Sequence, residues 1–166
     1  MLRTTFILAL CLFPLMSFGQ IISFFEFDTP GVTRATIGPD AYTISSSAFS
    51  DVGGVGGTTG LNAGNPKMNL DMYVTGSPTF DINGIDLSLD FQREENVGEF
   101  WRRGNSLIFA GASNLSVSYR VEDGAGGFKT VNSGNVYAIP NDDTFRNYRF
   151  MYLPATGMGM LYVDGH

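Results

Sequence analysis

Residues 85–92 read IDLSLDFQ, and the phase of this stretch decides the class of fold. Ile85, Leu87, Leu89 and Phe91 fall on one side of an extended chain, Asp86, Ser88, Asp90 and Gln92 on the other. A period of two describes a strand with one buried and one wet face, as in antiparallel sheets. The pattern recurs. Met68, Leu70, Met72 and Val74 oppose Asn69, Asp71 and Tyr73; Leu115, Val117, Tyr119 and Val121 oppose Ser116, Ser118, Arg120 and Glu122. Further strands are expected over Ile22 to Asp28, Tyr42 to Ser45, Gly98 to Arg103, Leu107 to Ala110, Gly127 to Val131, Phe145 to Leu153 and Met158 to Val163. Between them stand the turn pairs Asn83-Gly84, Gly104-Asn105, Asp123-Gly124, Ser133-Gly134-Asn135 and Thr156-Gly157, residues that adopt positive φ or bond their own backbone. No apolar helical stripe of useful length follows residue 20, so the chain is expected to be all-β, an antiparallel sandwich or barrel.

Composition agrees. Hydrophobic residues make up 43% of the 166 and charged residues 16%, which suits one domain with a real core and excludes a solvated, disordered chain. The 21 glycines and 14 phenylalanines favour short strands and tight turns. The glycine-rich stretch Asp51 to Pro66 reads as a long loop. Its GGVGGTTG is not a phosphate cradle, because Thr59 stands where a third small residue belongs, no lysine follows, and no helix comes next.

Residues 1–19 form a separate object. Arg3 supplies a positive start, Phe6 to Met16 an apolar run broken by Pro14, and Ser17-Phe18-Gly19 a small-x-small cleavage site before Gln20, the three parts of a secretory signal peptide. An apolar stretch this short does not cross roughly 30 Å of hydrocarbon. Leu10 before Cys11 argues against lipoprotein processing. Removal of residues 1–19 leaves 20–166, one domain with neither cysteine nor disulfide, which must hold together through its core. The net charge of −6 for the whole chain offers no basic stripe for nucleic acid.

The segment TFRNYRFMYLPATGMGMLYVDG, Thr144 to Gly165, resembles the strand, turn and strand ending in "lYvDG" of laminin-G-like and concanavalin-A-like lectin modules. FFEFDTPG, Phe24 to Gly31, and DLSLDFQ, Asp86 to Gln92, are similar to such modules in large exported bacterial surface proteins. The resemblance implies a jelly-roll sandwich whose strands continue after this hairpin. Asp164-Gly165 is itself a hairpin signal, so the domain is expected to run on past His166, with further domains in the same protein.

Candidate sites follow from the oxygen-bearing and aromatic residues. The sole histidine is His166, so an enzyme would work through carboxylates. Glycosidases of the concanavalin-A-like fold carry E-x-D-x-E, where this chain has Asp86-x-Ser88-x-Asp90. Their Cα atoms lie about 13 Å apart along a strand, too far for two short side chains to approach the roughly 5 Å of a retaining pair. Glu94, Glu95 and Glu99 read as a solvated connection. Calcium is the metal expected of an acidic exported domain, with Asp81, Asn83 and Asp86 as ligands; the simpler reading makes Asn83-Gly84 only a turn. Asn141-Asp142-Asp143 is a second oxygen cluster that reads as a polar loop. Trp101, the only tryptophan, is the candidate platform for a sugar, with Arg103 and Asp90 as polar partners. In a regular strand Phe100 and Trp101 face opposite ways, so one of them is expected to be exposed or at a sheet edge. The expected function is a non-catalytic extracellular module that binds glycan or another surface ligand. The alternatives are a structural spacer or adhesin domain and a glycoside hydrolase.

Overall fold

The computed structural model describes residues 21–29, 34–44, 49–50, 54–61, 72–80, 83–93, 98–111 and 113–166. The proposed signal peptide, Asp81, Glu94, Glu95 and the first half of the strand expected from Met68 lie outside the described residues. Among those residues the chain is all-β, and its strands pair antiparallel. Among the described residues the only helical pieces are two single 3-10 turns, Val55–Gly57 and Pro78–Phe80, and no helix there is long and apolar enough to cross a membrane.

Two small ladders come first. β1 (Ala41–Ile44) pairs with β4 (Met72–Val74), and β2 (Phe49–Ser50) with β3 (Gly60–Leu61). The second ladder lies across the glycine-rich stretch read as a loop. The strand expected over Ile22 to Asp28 does not form; Phe24 and Ile37 make an isolated bridge, and Phe27 has a φ of 59°, which breaks an extended run.

Two larger sheets carry the core. One has β12 (Met158–Val163), β11 (Arg146–Leu153) and β5 (Ile85–Phe91), in that order. The other has β6 (Glu99–Arg103), β7 (Leu107–Gly111) and β8 (Asn114–Glu122), with β9 (Phe128–Asn132) and β10 (Tyr137–Ala138) along the remaining edge of β8. Between β9 and β10 the chain leaves the ladder for Ser133 to Val136. The Ser133 hydroxyl accepts the hydrogen bond of the Val117 N–H at 2.9 Å, so β8 keeps a partner there.

Alternation then does what its phase requires. Leu107, Phe109, Leu115, Val117 and Tyr119 from one sheet meet Tyr148 and Phe150 from the other, with Ile139 beside them, and all are buried. Ile85, Leu87, Leu89 and Phe91 pack on this cluster from β5, Leu161 and Val163 from β12. These two faces form the core of an antiparallel β-sandwich.

Of the two outcomes expected for Phe100 and Trp101, exposure or a place at a sheet edge, the second holds: among the described residues β6 is the edge strand of its sheet, and neither residue is exposed. Both pack on the core, because β6 is not regular: its pairing with β7 shifts between Glu99, opposite Ala110, and Trp101, opposite Phe109. The bulged residue Phe100 escapes the alternation. Its ring lies 4.9 Å from that of Phe91, 5.4 Å edge-on from Phe109 and 5.7 Å from Tyr148.

Candidate functional site

The outward face of β5, β11 and β12 collects the polar residues that alternation excludes from the core. β11 lies between its two neighbours with Asn147 opposite Asp90, Arg149 opposite Ser88 and Tyr162, and Met151 opposite Asp86 and Met160. Because Tyr148, Phe150 and Tyr152 point inward, Asn147, Arg149 and Met151 point out.

The contacts on this face run straight across and along diagonals, the two reaches open to cross-strand side chains. Asn147 Nδ2 donates to Asp90 Oδ1 and to Ser88 Oγ, each at 2.9 Å. The Ser88 hydroxyl donates back to Asn147 Oδ1 at 3.1 Å. Arg149 grips Asp86 with both ends of its fork, Nε to Oδ1 at 2.7 Å and Nη2 to Oδ2 at 2.5 Å, which holds the guanidinium above its ordinary pKa. Both side chains stay open to water, Arg149 at 42% and Asp86 at 50%, so solvent screens the pair. At the end of the row the Asn147 N–H donates to Asp164 Oδ1 at 2.8 Å, tying the last turn to the middle strand. Beside the polar rows lies a less polar strip, Met151, Met160 and Tyr162, all half-buried, with the Tyr162 hydroxyl 3.2 Å from Met160 Sδ.

This face offers carboxylate and hydroxyl acceptors, amide and guanidinium donors, and an aromatic ring on one side of a three-stranded sheet. Such a set can hydrogen-bond a ligand rich in hydroxyls while an apolar ring face rests on Tyr162.

The expected ligand set is divided by the fold. Asp90 belongs to this patch. Trp101 and Arg103 stand on β6 in the other sheet; Trp101 is half-buried against the core, and the Arg103 guanidinium donates to the Phe80 carbonyl. Of the metal set, Asp81 lies outside the described residues, Asn83 is exposed at a bend, and Asp86 has both carboxylate oxygens on Arg149. Among the described residues no three His, Cys, Asp or Glu side chains group as metal ligands would. Asp142 pairs with Arg146 at 2.6 Å, and its carboxyl drops from the ordinary 3.8 to about 2, first because of that hydrogen bond.

Asn147, Arg149 and Tyr162 were missed by sequence reasoning. The signal was present in the phase of Thr144 to Leu153, which sends Asn147 and Arg149 outward. That they stand beside Asp90 and Asp86 depends on a strand pairing about sixty residues apart, which no local pattern encodes. No family model, curated protein or solved structure matches this chain.

Proposed function

We propose that this chain is a non-catalytic extracellular binding module that takes a carbohydrate, or a surface ligand of similar hydroxyl-rich chemistry, on the outer face of β5, β11 and β12. One observation carries the proposal: Asn147 bridges Asp90 and Ser88 beside Arg149 and Tyr162, which fixes donors and acceptors in position before a ligand arrives. Groups held this way lose little freedom on binding. The extracellular assignment rests on residues 1–19, and the concanavalin-A-like jelly roll and further domains on the resemblance of Thr144 to Gly165. Calcium belongs to the same proposal as a structural ion on Asp81, Asn83 and Asp86. Hydrolysis is not part of it, because Asp86 and Asp90 each hold a hydrogen-bonding partner and neither stands as a free acid beside a base.

The test is binding of the soluble protein to an immobilised panel of neutral and acidic oligosaccharides, with Asn147→Ala and Tyr162→Ala beside the wild type. The expected result is saturable binding by the wild type that both substitutions weaken at least about tenfold, the loss of one or two well-placed contacts. Binding that neither substitution alters would move the ligand elsewhere, and no binding to any member would remove the proposal. A spacer role is the second reading. It is favoured by the closure of the network, whose amide, hydroxyl and carboxylates already satisfy one another.

A further inference from the structure

Three of the seven methionines meet on one side of the hairpin of β11 and β12. Gly159 decides this. A Cβ there would fall 2.6 Å from the hydroxyl oxygen of the buried Tyr119, so Gly159 faces the core, as Leu161 and Val163 do. Met158 and Met160, on either side of it, therefore face out. On β11 Phe150 and Tyr152 face in, which turns Met151 out, directly opposite Met160. Met158 stands opposite Leu153, two rungs further along.

The strand geometry brings the three side chains within reach of one another. Met158 and Met160 have Cα atoms about 7 Å apart along β12, and Met151 and Met160 about 5 Å apart across the ladder. Met151 and Met158 lie on the diagonal of about 7–8 Å that long side chains span. A methionine has three rotatable bonds and a polarizable sulfur, so the three thioethers can converge over the hairpin. Water reaches them: Met158 is 55% exposed, and Met151 and Met160 are half-buried. The Tyr162 hydroxyl donates to Met160 Sδ at 3.2 Å, which uses one lone pair of that sulfur and leaves the other.

We propose that Met151, Met158 and Met160 form a site for copper(I), held by three thioether sulfurs. Soft, neutral thioethers select a soft ion of low charge. Calcium and magnesium take oxygen ligands, and zinc takes thiolate, imidazole or carboxylate, of which no group of three exists among the described residues. Asp86, the carboxylate opposite Met151 on β5, has both oxygens on Arg149. That pair leaves the neighbourhood close to neutral, so the ligands bring no negative charge to offset a divalent ion. The site stands apart from the network of Asn147, Ser88 and Asp90 and does not depend on a ligand bound there.

Silver(I), soft, monovalent and stable in air, is the probe for methyl NMR of the full chain. The chain carries Cys11→Ser, since that thiol would compete for the ion. The methyl signals of Met151, Met158 and Met160 should shift together and saturate, while that of Met72 stays in place. Copper(I), kept reduced under nitrogen, should displace the silver, whereas calcium and zinc should not. Met158→Leu and Met160→Leu keep the side-chain volume. Each should leave the melting temperature without metal unchanged and weaken both ions by at least about tenfold. Acidification from about pH 7 to about pH 5 should not alter the affinity, because a thioether has no proton to release on binding, unlike a histidine. No shift of these three methyls overturns the proposal. So does binding that survives the Met158→Leu, Met160→Leu double substitution, or binding lost on acidification, which would move the ion to His166.

Discussion

The ring of Phe100 occupies the position from which a side chain of Gly111 would start: a Cβ on Gly111 would fall 2.1 Å from Phe100 Cζ. The bulge in β6 makes this contact possible, and Gly111 is buried beneath it. Gly111→Ala should therefore overpack the core and lower stability by about 1–3 kcal/mol, read from denaturant midpoints. Phe100→Leu in the same protein should recover part of the loss, because neighbours in contact are not additive. Equal stability of Gly111→Ala and wild type would mean that the bulge is misplaced.

Asp142 gives the acid response a defined sign. Its carboxyl ionises at about 2 in the folded chain against an ordinary 3.8, chiefly because Arg146 donates to it. The unfolded chain therefore binds the proton first. The contribution of this pair is present above about pH 4 and is lost as pH falls through about 2. Carboxyl NMR titration should find Asp142 depressed, and Arg146→Gln should return it toward its ordinary value and flatten the acid limb of stability between those limits. An unshifted Asp142 in the wild type would contradict the pairing.

Calcium meets a competitor at Asp86. A cation taking Asp86 with Asp81 and Asn83 must displace the two hydrogen bonds from Arg149. Calcium should raise the melting temperature by mass action, and more so in Arg149→Met than in the wild type. Asp81→Ala should remove the rise in both. No shift in either protein would leave Asn83-Gly84 as a turn only.

Export makes a prediction about a terminus. Mass spectrometry of the secreted protein should find Gln20 first, in its open or cyclised form, because Ser17 and Gly19 satisfy the cleavage preference. Secreted protein that retains Met1 would refute the signal peptide.

Local pattern was enough for much of this fold. Met158–Val163 is a strand to the residue, and Ile85–Phe91 stops one residue short of the expected Gln92, since the geometry of an extended chain defines two faces without knowledge of the partner. Asp164-Gly165 likewise forms the turn its residue types favour, with both φ positive. Phe24 marks the limit. Its segment has strand-forming residues but gains only one bridge, because extended backbone is stable only when another strand takes its hydrogen bonds.

What tertiary structure alone decided is which strands meet and where the alternation breaks. Phe100 leaves the period-two pattern because the pocket between Phe91, Phe109 and Tyr148 accepts its ring, and those three come from separate strands. Trp101 is drawn against the core by the same bulge. Asn147 and Asp90 become neighbours only when β11 pairs with β5. Sequence determines which side chains can share a face, through the geometry of the extended chain. Which faces come together is set by the burial of apolar surface over the whole domain, a non-local quantity that no single stretch contains.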